Sequence, residues 1–435
     1  PDVYLTNFGS NRLLINQGDG RFADGTEASG TDDPRWSVAA SFLDYDGDGR
    51  LDLYVGNYVE YRLATHRDCY SDSGVLDYCG PAGFPPEPDR LFRNLGDGRF
   101  EDVTRRSGLA ATAGAGLGAV AADLTGDGLT DLYVANDGDR NNLWVNQGDG
   151  TFRDEALLAG AAVNSAGHPE ASMGVVAGDL DQDGYVDLFL SHLTNETNTL
   201  YRGSAAGVFD DVSGDSGLGM PSWTSTGFGV ALFDYDHDTD LDLFIANGAV
   251  KRIEEQLREG APYPLAQRNQ LFANRGDGRF EEITAEAGRA LAASEVSRGV
   301  ASGDVDHDGD VDLLVVNSAG PARLLRNEAG RATSWLGVSV HPAAGRATPI
   351  GSRVVLALED GRRLTGRVAT DGSYASAKDP RVGFGLGDES AASIEVAPPT
   401  GRAWRLIQPP ENRLLVVPAS TGSLPPVEVS RREDR

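Results

Sequence analysis

Short runs of alternating apolar and polar residues return along the first three quarters of the chain in one fixed arrangement. Each unit contains a Gly/Ala-rich run, an acidic loop, a run of the Leu-Tyr-Val type, a run ending in Asn-x-Gly-Asp-Gly and a run beginning with Phe. Short alternating runs bounded by Gly and Asp are typical of β-strands, and Asp-Gly between two of them indicates a tight hairpin. The pattern therefore predicts a four-stranded meander.

The spacing of the acidic loops indicates the architecture. The loops begin at residues 44, 123, 179, 234 and 304, and a four-stranded unit of roughly 40–55 residues is the size of a propeller blade. Insertions at about 58–88 and 249–268 explain the longer spacings, and the second contains a predicted helix over 251–259. We expect an all-β propeller over residues 1–333. Six blades are readable, the first lacks its opening strand, and a seventh blade in the intact protein stays open.

A different alternation follows the last repeat. Strand-like runs between Gly-rich turns over residues 334–418 predict a small β-sandwich or barrel. Residues 419–435 are polar and contain proline, a composition that favours a disordered tail.

The acidic loops have the composition of calcium sites. Alternating carboxylates can converge on one point only if the backbone coils tightly, and a glycine at the sixth position supplies the required turn. Oxygen ligands without His or Cys suit a hard cation such as Ca²⁺. One such loop could be a solvated turn, but five loops, each leading into an apolar strand, favour metal. The predicted ligands are Asp44, Asp46, Asp48, Asp52, Asp123, Thr125, Asp127, Asp131, Asp179, Asp181, Asp183, Asp187, Asp234, Asp236, Asp238, Asp242, Asp304, Asp306, Asp308 and Asp312.

Two of the loops depart from the pattern. Thr125 replaces a carboxylate in the second loop, and Thr239 replaces the turn glycine in the fourth. We expect these two loops to bind calcium most weakly. His237 and His307 occupy variable positions inside loops and are interpreted as exposed spacers.

Charge and cysteine content limit the binding partners and the cellular compartment that we expect. The chain has 66 acidic and 38 basic residues and a net charge of −28, which argues against nucleic acid or an anionic membrane as a partner. Cys69 and Cys79 suggest one disulfide and an oxidising compartment, with two free thiols as the alternative.

No stretch approaches the roughly 20 apolar residues of a membrane span. The chain begins at Pro1 without Met, which leaves room for a missing N-terminal segment. We expect a secreted, periplasmic or cell-surface protein.

One group of polar residues is a weak candidate for catalysis. His192 follows a second strand at the place that asparagine occupies in the other repeats. With Glu170, Glu196 and Arg298 it would form a polar ring near the axial channel. The alternative is that the asparagines at this position in the other repeats only cap turns.

The repeats resemble the FG-GAP or VCBS calcium-propeller repeats. The stretches Trp335–Val338, Ile350–Val354, Gly372–Ser376 and Phe384–Gly387 resemble the ASPIC/UnbV domain of the cartilage acidic protein-like (CRTAC) family. The resemblance implies a secreted or surface-exposed calcium-binding propeller with an adhesive or uncertain function, and it implies no known reaction. The chain departs from the family at Ala249, where His often follows Asn-Gly.

The leading hypothesis is an extracellular binding, adhesion or scaffold module that holds about five calcium ions, one for each acidic loop. It would meet a protein or glycan ligand on the loop faces where the insertions project. The alternative is an enzyme of the lyase, hydrolase or cyclase type with its site in the axial pocket of the propeller.

Overall fold

The computed structural model of the protein describes residues 1–70, 74–330, 333–341, 349–399, 402–418 and 428–429. Up to residue 325 these residues form six successive antiparallel sheets. The first sheet contains β1 (Val3–Leu5), β2 (Arg12–Asn16) and β3 (Phe22–Asp24). The second contains β4 (Ser37–Leu43), β5 (Asp52–Asn57), β8 (Arg90–Gly96) and β9 (Arg99–Asp102), and the insertion between β5 and β8 forms a separate hairpin of β6 (Cys69–Tyr70) and β7 (Leu76–Asp77). The third contains β10 (Gly116–Ala122), β11 (Asp131–Asn136), β12 (Asn142–Asn146) and β13 (Phe152–Asp154).

The later sheets repeat this arrangement. The fourth contains β14 (Val175–Gly178), β15 (Asp187–Leu190), β16 (Thr199–Arg202) and β17 (Asp210–Asp211). The fifth contains β18 (Gly227–Phe233), β19 (Asp242–Asn247), β21 (Gln270–Asn274) and β22 (Phe280–Glu282), beside the separate pair β20 (Gln267–Arg268) and β23 (Ser294–Glu295); the sixth contains β24 (Ser297–Gly303), β25 (Asp312–Asn317) and β26 (Arg323–Leu325). The predicted four-stranded meander is confirmed in the second to fifth sheets.

Helices are short. They are α1 (Thr26–Ser29), α2 (Ala156–Ala159), α3 (Gly219–Ser222) and α4 (Glu254–Arg258), with 3₁₀ turns at Leu63–Thr65, Pro81–Gly83, Leu109–Ala111 and Arg289–Ala292. The helix predicted over 251–259 is therefore present in the second insertion but covers five residues only.

The core lies between the sheets. Each of four buried apolar clusters joins two neighbouring sheets from the second to the sixth, and the inner strands β4, β10, β14, β18 and β24 are neighbours in that order. Small residues allow this approach. A Cβ on Gly118 would lie 2.4 Å from the carbonyl oxygen of Met173 in the adjacent blade, so the inner strands can be this close only without a side chain there. This is the packing of a propeller.

The C-terminal region forms a β-sandwich around one apolar core. Its strands are β27 (Ser334–His341), β28 (Arg353–Leu358), β29 (Arg363–Arg367), β30 (Val382–Gly387), β31 (Ala391–Ala397), β32 (Trp404–Ile407), β33 (Arg413–Pro418) and β34 (Glu428–Val429). They pair as β30-β27-β33-β34 and β29-β28-β31-β32. The predicted disordered tail over 419–435 lies outside the described residues except for β34, which pairs with β33. The domain bounds 1–333 and 334–418 stay predictions.

Candidate metal centres

All five acidic loops lie on one face of the propeller, because each connects the first strand of a sheet to its second strand. The first joins β4 to β5, and the others join β10 to β11, β14 to β15, β18 to β19 and β24 to β25. We call this the metal-loop face. At the sixth position of the first loop, Gly49 has φ 84°, and at the same position of the fourth loop Thr239 has φ 90°. Threonine is disfavoured in this conformation, which gives the predicted weakness of the fourth loop a structural basis.

Carboxylate oxygens converge in four of the loops. Among the described residues, the groups whose oxygens lie within 4.8 Å of one another are Asp44, Asp46 and Asp48; Asp179, Asp181 and Asp187; Asp234, Asp236 and Asp242; and Asp304, Asp306 and Asp308. In three of these groups one buried oxygen, Oδ1 of Asp179, Asp236 or Asp304, accepts no hydrogen bond. A buried oxygen without a donor is costly, and a divalent cation would satisfy it. The residues therefore fit a hard cation such as Ca²⁺.

The second loop, residues 123–131, is closed by its own hydrogen bonds. Thr125 Oγ1 donates to Asp131 Oδ2 at 3.2 Å, and the two oxygens of Asp123 accept from the backbone nitrogens of Gly126 and Gly128 at 2.8 and 3.0 Å. Calcium binding at this loop stays a prediction.

The last aspartate of each loop fastens the loop to the third strand of its blade. Asp52 Oδ2 accepts from the backbone nitrogen of Tyr45 at 3.2 Å, and its Oδ1 accepts from that of Asn94 at 2.8 Å. Equivalent contacts recur at Asp131, Asp187, Asp242 and Asp312. Burial raises the pKa of Asp52 to about 7 and that of Asp242 to about 9. A bound cation would lower these pKa values and favour the ionised carboxylates.

Side chains at the fourth position connect neighbouring loops. Gln182 Nε2 donates to Asp240 Oδ1 in the next loop at 2.6 Å. His237 Nε2 lies 3.4 Å from Asp310 Oδ1 in the loop that follows. The third, fourth and fifth loops are therefore in side-chain contact.

The prediction that His237 is an exposed spacer is wrong. The residue is 3% exposed, because the C-terminal domain packs on it: a Cβ on Gly385 would lie 2.3 Å from the His237 Cα. His307 is exposed as predicted, and its ring nitrogen Nδ1 lies 3.1 Å from Nη1 of Arg381 in the same domain.

The asparagine that ends the third strand joins adjacent blades. Its side-chain amide donates to a loop carbonyl of the preceding blade, in the pairs Asn146–Tyr45, Asn274–Leu180 and Asn327–Tyr235, each at 2.8 Å. In the sequence, the Asn-x-Gly-Asp-Gly run indicates only a hairpin. The recurrence of asparagine at its first position was the signal for this second role.

The axis of the propeller is occupied by residues 371–376 of the C-terminal domain, which we call the axial segment. Asp371 and Ser373 bond to all five inner strands. Ser41 Oγ (2.8 Å) and the Ala121 backbone nitrogen (2.7 Å) donate to Asp371 Oδ2, the Ser373 nitrogen donates to Val175 O (2.7 Å), the Val230 nitrogen donates to Ser373 Oγ (3.1 Å), and Ser373 Oγ donates to Val300 O (3.0 Å). Two residues can bond to five strands only where the strands surround them.

The axial segment combines a buried charge with an aromatic contact. Burial would raise the pKa of Asp371, but the adjacent Arg367 and the two donors hold that pKa below its usual value. Arg367 Nη2 lies 2.9 Å from Asp371 Oδ1. Farther along the axis the Tyr374 ring packs on Phe228, with centroids 4.9 Å apart.

Three of the four catalytic candidates lie together. His192 Nδ1 lies 2.9 Å from Thr197 O, which it contacts as a turn cap, and His192 Nε2 is 3.9 Å from Glu170. Glu196 accepts from the backbone nitrogen of Ala171, next to Glu170, at 3.0 Å.

The fourth candidate, Arg298, has different partners. Its guanidinium lies 4.1 Å above the Phe228 ring and donates to the carbonyls of Gly248 and Ala249. A catalytic role for the four residues stays a prediction.

Cys69 and Cys79 form the predicted disulfide, which joins β6 to the segment after β7 in the first insertion. Among the helices in the described part of the chain, none has the length and apolar character to cross a membrane.

Comparison with protein families gives two matches. The FG-GAP-like repeat model matches residues 1–55, 74–134, 123–190, 179–245 and 263–347, and the model described as ASPIC and UnbV matches residues 343–423. The gaps at 56–73 and 246–262 fall in or beside the two insertions.

Cartilage acidic protein 1 of Mus musculus and of Homo sapiens are each 28% identical to this chain over 371 residues, which are 83% of the chain and 51% and 50% of those proteins. The chain thus spans about half the length of these relatives. Among solved structures, an Agrocybe aegerita lectin that recognises non-reducing terminal N-acetylglucosamine is 18% identical, with coverage of 76% of this chain and 77% of the lectin and a TM-score of 0.40. Rhamnogalacturonan lyase YesW is 13% identical, with coverage of 75% and 67% and a TM-score of 0.31. Neither structural likeness bears on function.

Proposed function

Because this chain belongs to the FG-GAP-like repeat proteins and carries an ASPIC and UnbV domain, we propose that it is an extracellular, calcium-stabilised propeller that acts as a binding, adhesion or scaffold module. The observation that carries the proposal is the repeated convergence of aspartates, with donor-less buried oxygens in three of the loops. Bound calcium supplies positive charge and a fixed coordination geometry to each loop.

The aspartates of each loop and the asparagine of the next blade have different roles at the proposed metal site. The aspartates at the first and third positions of a loop present oxygens to the ion. The last aspartate fastens the loop to the third strand, and in the third and fourth loops, as Asp187 and Asp242, it also joins the converging oxygens. The asparagine at the end of the third strand in the next blade donates a hydrogen bond to a carbonyl of the loop, as Asn146 does to Tyr45. Each ion would therefore stabilise two blades.

An extracellular setting is supported by two observations. The Cys69–Cys79 disulfide is typical of oxidising compartments. The curated relatives are cartilage acidic proteins.

The partner surface that we propose lies opposite the metal-loop face. Both insertions follow second strands and so project from that opposite face. Leu63, Tyr70 and Tyr78 of the first insertion are 76, 63 and 56% exposed, and several exposed apolar side chains in one segment are typical of protein or glycan contacts. The axial segment fills the channel that the alternative, an axial enzyme site, would need, and this supports a binding role.

Calorimetric titration of chelator-treated protein with CaCl₂ tests the proposal. The expected result is saturable binding of several ions per chain, with MgCl₂ binding more weakly because Mg²⁺ demands a tighter octahedral geometry. Asp236→Asn should remove one site. Absence of calcium binding to the folded protein would overturn the proposal.

A further inference from the structure

The C-terminal domain rests directly on two of the five metal loops. Arg381 Nη2 donates to the carbonyl of Asp304 in the fifth loop at 2.7 Å. In the fourth loop the backbone nitrogen of Gly387 donates to His237 O at 2.8 Å, and Arg362 Nη1 donates to Thr239 Oγ1 at 2.6 Å. Two of these acceptors are loop carbonyls, so the contacts depend on the conformation of the loop backbone.

The turn of the fifth loop also forms part of this contact. The indole ring of Trp335 lies against Gly309, where a Cβ would come within 2.2 Å of the ring. Gly309 has φ 101°, a conformation that the coiled metal loop requires. A change in the coiling of this loop would therefore displace the indole ring.

The rest of the interface is not a packed apolar layer. A cavity of about 550 Å³ separates the metal-loop face from the C-terminal domain, and its lining includes Asp123 and Asp179 on one side and Arg353 and Lys378 on the other. The domain is therefore held by the axial segment at the centre and by the contacts with the fourth and fifth loops.

Residues that contact the fourth and fifth loops lie both before and after the axial segment along the chain. Arg362 reaches the fourth loop just before β29, and Arg367 at the end of β29 anchors Asp371. After the segment, the backbone nitrogen of Asp379 donates to Ser302 O at 2.9 Å, and Arg381 follows on the fifth loop. Both ends of the segment are thus tied to the two loops.

From these contacts we propose that the fourth and fifth metal loops control the seating of the axial segment. With metal in both loops, the loop backbone presents the carbonyls that Arg381 and Gly387 need, and the axis is closed. Without metal, the clustered carboxylates of these loops repel one another, the docking contacts are lost, and the axial segment leaves the channel. The inference rests on the proposed function, because it needs calcium in these loops.

Hydrogen exchange in the whole chain, residues 1–435, measures this seating directly. The Ser373 amide is protected by its bond to Val175 O, so exchange of the peptide that contains residues 371–376 reports an open axis. The test compares Asp306→Asn in the fifth loop with Asp46→Asn in the first loop. The two aspartates are matched: Asp306 lies 3.1 Å from Arg326, and Asp46 lies 2.7 Å from Arg93.

In calcium, Asp306→Asn should raise exchange in the axial segment by about tenfold or more, and Asp46→Asn should change it by less than about twofold. If both variants lose one calcium site in calorimetry and the axial segment stays equally protected in each, the inference is overturned and the proposed function stands. If the wild-type protein binds no calcium, both fail.

A graded EGTA titration of the wild-type protein provides the second measurement, and it needs no variant to fold. The axial segment should lose protection at a higher free calcium concentration than the amides of β5, which follows the first loop. Simultaneous loss in both places would contradict the inference.

Discussion

The side-chain amide of Asn146 donates a hydrogen bond of 2.8 Å to the backbone carbonyl of Tyr45, which belongs to the acidic loop of the preceding blade. The same amide donates to the carbonyl of Thr130 in its own blade at 3.1 Å. One buried asparagine therefore holds two metal loops in fixed relative positions. The Asn146 side chain therefore stabilises the interface between the two blades and also the conformation of both loops.

Asn146→Ala should lower the free energy of unfolding by about 2–4 kcal/mol, because it leaves two carbonyls without donors. Urea denaturation in saturating calcium measures the loss. Asn16→Ala is the matched control: Asn16 occupies the same position in the first sheet, where its amide donates only to Pro1 O, and it should cost less than about 1 kcal/mol. Equal losses would contradict a role between blades.

Thr125→Asp should strengthen calcium binding to the second loop by roughly tenfold, because affinity rises with the number of charged ligands. The new carboxylate cannot donate to Asp131 as the Thr125 hydroxyl does, which frees an oxygen of Asp131 for the ion. Calorimetric titration measures the change. Thr151→Asp, in the hairpin of the same blade, makes the same charge change outside the loop and should leave the affinity unaltered; an equal gain there would show a general charge effect.

Asp371→Asn should destabilise the protein by about 3–5 kcal/mol, because Arg367 would lose its anionic partner in a buried place. Chemical denaturation followed by tryptophan fluorescence measures the loss. Asp388→Asn, an exposed change in the same domain, is the control and should be nearly neutral. A small effect of Asp371→Asn would show that the axial segment is not fastened as described.

Asp89 should make unfolding depend on pH in saturating calcium. It is 5% exposed and accepts from Tyr54 Oη at 2.7 Å and from the Asn57 nitrogen at 2.9 Å, and burial raises its pKa to about 6. A folded pKa above the unfolded value favours the protonated form, so this contribution to stability is complete below about pH 4 and is lost as pH rises through about 6.

Asp89→Asn should therefore flatten the decline in unfolding free energy between about pH 4 and pH 6. Denaturation at several pH values compares the variant with the wild-type protein. Identical slopes would mean that another group causes the decline.

Local chemistry was predictable from the sequence, and long-range contacts were not. The acidic loops and hairpins could be located because their key residues lie within about ten positions of one another. The axial segment could not be located, since its bond to the propeller joins Ser41 and Asp371, which are 330 residues apart. The burial of His237 was missed for the same reason: the C-terminal domain that covers it follows some 100 residues later in the chain.

The strand β32 is difficult to predict from the sequence for a local reason. Its four residues, Trp404–Ile407, contain Arg405 between apolar neighbours and lie at the edge of their sheet. So short a run has little alternation by which to recognise it.

Thermal unfolding in calcium and in EGTA tests the central claim most directly. A site with a Kd of about 10 µM at about 1 mM free calcium adds about 2.7 kcal/mol, so several sites together should raise the unfolding midpoint by on the order of 10 °C. The account predicts a midpoint that is clearly higher in calcium and falls when EGTA is added. The same midpoint in both conditions, for a protein that is folded in each, would contradict it.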